Sequence, residues 1–250
     1  MKTKIWAHRG ASAYAPENTL PAFQMAIDMK ADGIELDIYE TADGKLVIHH
    51  DNDIKRMTGG VEAKILETDF KTLRSYHFGG AFGDRFGKVR IPEFSEVLDL
   101  FKNTDMMINV ELKQGSLAYL QAINEAVIAF GMEEQIIYSS FDHMKLWQMK
   151  KINPRMDIAA LYTDPMYEPW SYAKNLGLKA LHPHYQQIYR YRENGMDFIK
   201  RAHESGIAVN PWTVNKEGIM RFLISLGADH LITDYPDVAK RIAEESETNT

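Results

Sequence analysis

The residues of this chain best suited to chemistry are acids, imidazoles and fixed cations set into short apolar runs. In "GIELDI" (Gly33–Ile38), Glu35 and Asp37 share one face while Ile34, Leu36 and Ile38 share the other. In "VELK", Glu111 and Lys113 again share a parity. Three carboxylates aimed at one point in a dry interior would each cost several kcal/mol, so protons or a cation must compensate. Oxygen-only ligands favour a hard divalent ion, Mg²⁺ or Ca²⁺, over zinc or copper. Three protein ligands also leave coordination positions open for water or substrate. The competing reading pairs Glu35 and Asp37 with Arg or Lys at the same end of the fold; Glu111 weighs against it.

"HRG" joins a group that moves protons near neutral pH, His8, to a planar fork for phosphate oxygens, Arg9. Gly10 allows a tight turn directly after them. Lys113 either balances a metal carboxylate or contacts phosphate. "IHHD" sends His49 and His50 to opposite faces, so one of them faces the site, and parity does not say which. Trp212 is either core or the wall of a substrate pocket. His77, His143, His182, His184, His203 and His230 read as surface or packing residues. Two proton carriers, one cation and two fixed positive charges suit attack on a phosphodiester. Each proton transfer there is worth roughly 10²–10⁴ in rate.

These residues need elements to bring them together. Strands are expected at Lys4–Ala7, Gly33–Ile38, Met106–Glu111, Gln135–Ser139, Asp157–Tyr162, Ala180–His182, Ala208–Trp212 and His230–Thr233. Helices are expected at Thr19–Met29, Pro92–Phe101, Ser116–Phe130, His143–Lys151, Pro169–Asn175, Met196–Glu204, Lys216–Leu226 and Pro236–Glu244. This alternation predicts an α/β fold, a (β/α)₈ TIM barrel occupying residues 1–250 as one domain. A doubly wound sheet is the runner-up. The repeat is interrupted at Tyr39–Arg90, which opens with a hairpin turning at "ADG" and continues as an insertion over about 52–90. Residues 246–250 are expected to fray. In such a barrel the strands' C-terminal ends build the site. Here those ends carry His8-Arg9, Glu35 and Asp37, Glu111 and Lys113, Ser140-Phe141, Tyr162, His182, Trp212 and Asp234.

Composition narrows the function classes. The 35 acidic residues exceed the 29 basic ones, giving a formal charge of −6 and arguing against nonspecific nucleic-acid binding. Without cysteine there are neither disulfides nor thiolate zinc sites, and a cytoplasmic location is expected. No apolar run approaches a membrane span, and neither a P-loop nor a GxGxxG motif supports nucleotide chemistry.

The sequence resembles the glycerophosphodiester phosphodiesterase family. "HRG", "PENT" (Pro16–Thr19), "GIELDI", "TADGKLVIHHD", "IPEFSEVL", "VELK", "SSF", "WTVN" and "GADHLITDYPD" follow in family order from residue 8 to residue 237. The resemblance implies a (β/α)₈ barrel with an insertion after the second strand. It also implies metal ligation by Glu35, Asp37 and Glu111, and phosphate contacts from Arg9 and Lys113. It places the two catalytic histidines at His8 and His50, and leaves Trp212 as a substrate-contacting candidate. The implied reaction is metal-dependent hydrolysis of small glycerophosphodiesters to sn-glycerol 3-phosphate and an alcohol. Two alternatives stand beside it: a related barrel phosphodiesterase acting on lysophospholipids or sphingolipids, with an apolar mouth at Tyr162–Tyr172, and a catalytically idle binder of phosphate ligands. Neither a nucleic-acid partner nor stable membrane insertion is expected, and the oligomeric state stays open.

Overall fold

The computed structural model describes residues 2–248. Its elements run β1 (Lys4–His8), α1 (Leu20–Asp28), β2 (Gly33–Glu40), β3 (Leu46–Ile48), α2 (Lys55–Thr58), α3 (Phe70–Ser75) and α4 (Phe94–Phe101). They continue with β4 (Met107–Leu112), α5 (Leu117–Phe130), β5 (Ile136–Ser140), α6 (His143–Ile152), β6 (Asp157–Tyr162) and α7 (Pro169–Leu176). The last are β7 (Ala180–Pro183), α8 (Gln186–Glu193), α9 (Phe198–Glu204), β8 (Ala208–Val209), α10 (Glu217–Ser225), β9 (His230–Thr233) and α11 (Pro236–Thr248). Of the segment expected to fray, 246–248 continue α11, and residues 249 and 250 lie outside the described residues.

Apart from β3, the strands form one parallel sheet in the order β8-β7-β6-β5-β4-β2-β1-β9. The ends of this order meet through hydrogen bonds rather than a regular ladder. Asp229 N donates to Val209 O, Ile232 N to Pro211 O and Val214 N to Ile232 O, at 2.9–3.1 Å. The fold is therefore the expected TIM barrel.

Two layers fill it. Ile34, Leu36 and Ile38 face outward into a large core with Phe23, Phe94, Val97 and Tyr119 from the surrounding helices. The opposite parity fills the bore, where Trp6, Ile137, Ala159, Ala180 and Ile232 form a separate cluster. Gly33 makes room for the Trp6 indole: a Cβ there would lie 2.6 Å from Trp6 Cδ1 and 2.6 Å from Met107 O. Helix starts follow local chemistry, with Ser116, Asp142 and Asp197 each accepting a backbone N–H as the N-cap of α5, α6 and α9.

Two sequence expectations need correction. The strand read as Ala208–Trp212 is regular only over Ala208–Val209. Pro211 has no N–H to donate, although Asn210 and Trp212 still donate to Leu181 O and Pro183 O of β7. Helix α8 was not anticipated, because "QQIYRYRE" is mostly polar; of its eight residues only Gln187, Ile188 and Tyr191 are buried.

The hairpin forms as expected, β2 pairing antiparallel with β3 through Ile38–Ile48 and Glu40–Leu46. Beyond it the insertion builds a small core of its own, in which Ile54, Met57, Ile65, Leu73 and Phe78 pack on Tyr39 and Val47. Among the described residues no helix is long and apolar enough to cross a membrane.

Candidate active site

Sheet register assembles the acids. His8 lies beside Glu35 across β1 and β2, and Asp37 lies beside Glu111 across β2 and β4. One oxygen from each of Glu35, Asp37 and Glu111 falls within 4.8 Å of the others, and all three residues are buried. The expected competing partners are present too. Lys113 Nζ lies 2.9 Å from Asp37 Oδ1 and also donates to Glu111, while Arg9 Nε lies 3.4 Å from Asp37 Oδ2.

Three carboxylates against two fixed cations leave one negative charge uncompensated. Glu35 is accordingly pushed well above the usual carboxylate range by burial and by the charges of Asp37 and Glu111. Glu111 is pushed up to about 7 by burial and by Asp37. Asp37 is buried as well, but Lys113 and Arg9 hold it below the usual range. Asp37 Oδ1 makes no aligned hydrogen bond despite the nearby ammonium. An all-oxygen cluster with excess negative charge, one of whose buried oxygens is met only by an ion pair, fits a hard divalent cation.

Each imidazole is held from behind by a carboxylate. His8 Nδ1 donates to Asp234 Oδ1 at 2.6 Å, leaving Nε2 free and 3.9 Å from Glu35 Oε2. His50 Nδ1 donates to Asp51 Oδ1 at 2.7 Å. Burial, together with Arg9 and Lys113, lowers the pKa of His50. His49 points elsewhere: it is buried, its Nε2 lies 2.9 Å from Asp53 O, and its ring meets Phe78 edge-on.

Arg9 sits in the left-handed region at φ 55°, with Gly10 following at φ 81°. A Cβ on Gly10 would lie 2.7 Å from the Ala22 carbonyl carbon. The turn aims the Arg9 amide at Glu35 Oε2, 3.0 Å away. Asn18 of "PENT", also left-handed, donates to Asp37 Oδ2 at 2.7 Å and accepts from the Asp37 amide. Asn18, Asp51 and Asp234 bond Asp37, His50 and His8, contacts that residue type and spacing do not foretell. Their signal was position alone, inside blocks already singled out.

Trp212 reaches the mouth with its indole N–H donating to His182 O at 2.7 Å. Phe141 and His184 each meet it edge-on, with ring centres 5.4 Å away. His184 thus stands on the mouth wall, while His182 is wholly buried in the bore and bonded to Asn210. Tyr162–Tyr172 contributes Pro165, Met166, Tyr167 and Trp170 to a cleft of about 530 Å³ apart from the acid cluster. Tyr162 is buried and Trp170 packs on Tyr191 and Phe198, which leaves Tyr167 as its one well-exposed aromatic. Clefts of about 710 and 530 Å³ elsewhere on the surface share no residue with this constellation; chemistry, not size, marks the site.

The family model for the glycerophosphoryl diester phosphodiesterase family matches residues 8–238. The chain belongs to that family. A glycerophosphodiester phosphodiesterase of Caldanaerobacter subterraneus subsp. tengcongensis is 36% identical, covering 95% of this chain and 96% of its own. One from Bacillus altitudinis is 34% identical, covering 97% and 99%. An Oleispira antarctica phosphodiesterase, solved in complex with the product sn-glycerol-3-phosphate, shares the fold at a TM-score of 0.87. It is 24% identical and covers 97% of each chain.

Proposed function

We propose that this protein hydrolyses glycerophosphodiesters to sn-glycerol 3-phosphate and an alcohol. The observation that carries this reading is the convergence of two carboxylate-held imidazoles, three clustered carboxylates and two cations at one barrel mouth, in a chain of this family. Glu35, Asp37 and Glu111 would hold one divalent cation, Mg²⁺ or Ca²⁺, which when bound supplies positive charge to phosphoryl oxygens and to an attacking hydroxyl.

Arg9 and Lys113 orient the phosphodiester by charge. His8 Nε2, free because Nδ1 is committed to Asp234, takes the proton of the attacking hydroxyl as its oxygen bonds to phosphorus. The bond from phosphorus to the departing alcohol breaks, and His50 Nε2–H gives that oxygen its proton. The lowered pKa of His50 makes its imidazolium the stronger acid for this step. Trp212 walls the organic part of the substrate. A cytoplasmic location is part of this reading.

Turnover of glycerophosphocholine, glycerophosphoethanolamine and glycerophosphoglycerol with Mg²⁺, Ca²⁺ or Mn²⁺ tests the proposal. Activity that survives exhaustive chelation would refute the cation's part. Near-normal rates in His8→Ala or His50→Ala would refute the proton transfers. If the neighbouring glycerol hydroxyl is the nucleophile, rapid quench traps a cyclic glycerol phosphate, which water then opens at phosphorus, breaking the ring P–O bond to give sn-glycerol 3-phosphate; if water attacks directly, no cyclic phosphate forms.

A further inference from the structure

One guanidinium from the insertion reaches the catalytic machinery without touching any reacting position. Arg56, in α2, donates through Nε to Asp51 Oδ2 at 2.8 Å. The other oxygen of Asp51 is the one that holds His50. Arg56 also forks onto Glu17, Nη1 to Oε2 at 2.8 Å and Nη2 to Oε1 at 2.7 Å. Glu17 in turn accepts from Arg9 Nη1 at 2.9 Å. All three guanidinium nitrogens are therefore committed, and they tie together the loop after β1, the end of the hairpin and the insertion.

We infer that Arg56 is a positioning residue for proton delivery by His50, anchored on Glu17 and acting through Asp51. This inference rests on the hydrolytic reading above. A half-exposed ion pair is usually worth little, since solvent screens it and both side chains lose freedom. Here a bidentate fork plus a third bond fixes the guanidinium plane, so Asp51 cannot turn without breaking a hydrogen bond. An imidazole misplaced by even an ångström delivers its proton poorly. The insertion is thereby part of the proton-transfer apparatus as well as a cover for the barrel.

A leaving group that needs no proton separates this role from simple stitching of the insertion to the barrel. The choline ester of glycerol phosphate loses a basic alkoxide, whereas the p-nitrophenyl ester loses a stable phenolate. In Arg56→Met, kcat/KM for the choline ester should fall by about 10–100-fold, while the nitrophenyl ester changes by less than about threefold. Arg56→Lys, which cannot make three directed bonds, should fall between the unsubstituted protein and Arg56→Met. Because both esters are measured on one preparation, their ratio does not depend on the fraction folded. An unchanged ratio in both variants, whatever the absolute loss, would overturn the inference and leave Arg56 as a structural tie. Failure of the unsubstituted protein to cleave either ester would overturn the hydrolytic reading, and this inference with it.

Discussion

His8 Nδ1 and Asp234 Oδ1 lie 2.6 Å apart although 226 positions separate the two residues. Parallel pairing of the first strand with the last, β1 with β9, brings the two residues together. The carboxylate selects the tautomer that leaves Nε2 free, as the proposed role of His8 as base requires.

If His8 is the base, as proposed, Asp234→Asn should lower kcat by about 10–100-fold with little change in KM, since Asp234 bonds the far nitrogen of the ring. Steady-state turnover of glycerophosphocholine is the measurement. A shift in KM alone would contradict the assignment. In the unsubstituted protein Ser12 donates to Oδ1 and Asn215 to Oδ2, so the carboxylate behind His8 is held through both oxygens.

The acid cluster predicts a pH dependence. Glu111, raised to about 7 by burial and Asp37, and Glu35, raised by burial and both neighbours, stay protonated where free carboxyls ionise. Between the ordinary value of 4.5 and about 7 the folded state thus binds more protons than the unfolded one. The contribution of Glu111 to the stability of the cation-free protein is whole below 4.5 and is lost as pH rises through about 7, and that of Glu35 falls in the same direction. A cation must displace those protons, so its affinity should rise over the same range. Melting curves with EDTA or Ca²⁺ should nearly coincide at pH 5 and separate widely at pH 8. Titration calorimetry in two buffers of different ionisation enthalpy should show protons released on binding.

Asn18 combines two roles that substitution can separate. Its amide braces Asp37, and its backbone is left-handed at φ 55°. Asn18→Ala and Asn18→Gly should both weaken cation affinity by about 10–100-fold. The alanine variant should also lose about 1–2 kcal/mol more stability than the glycine variant, because its Cβ crowds the following carbonyl oxygen. Equal melting temperatures for the two would show that the backbone conformation carries no cost.

Gly33→Ala tests the packing of the bore. The added Cβ meets both Trp6 and the Met107 carbonyl at 2.6 Å, and the carbonyl cannot swing aside without breaking the sheet. The expected loss is about 1–3 kcal/mol, read from chemical denaturation. Gly131→Ala serves as the comparison: its Cβ would meet nothing within 4 Å, so any loss there comes from its φ of 67° alone.

Parity was legible in the sequence because neighbouring Cβ atoms in a strand point to opposite faces whatever the fold. The alternation in "GIELDI" and the shared parity of Glu111 and Lys113 therefore announced which side chains would meet inside a covered sheet. Strand and helix order announced the barrel in the same local way, and the "ADG" turn announced the hairpin. The polar face of α8 and the break at Pro211 escaped because partners distant in sequence, not local pattern, decide them. Parity also left His49 and His50 equivalent; the resemblance chose His50. The structure shows His49 turned to Asp53 and Phe78, and His50 held by Asp51. Tertiary structure alone decided the long-range couplings: Asp234 behind His8, Asn18 beneath Asp37, and Arg56 joined to both Glu17 and Asp51. Those contacts depend on strand pairing and on how the insertion folds back, and no spacing along the chain encodes either distance.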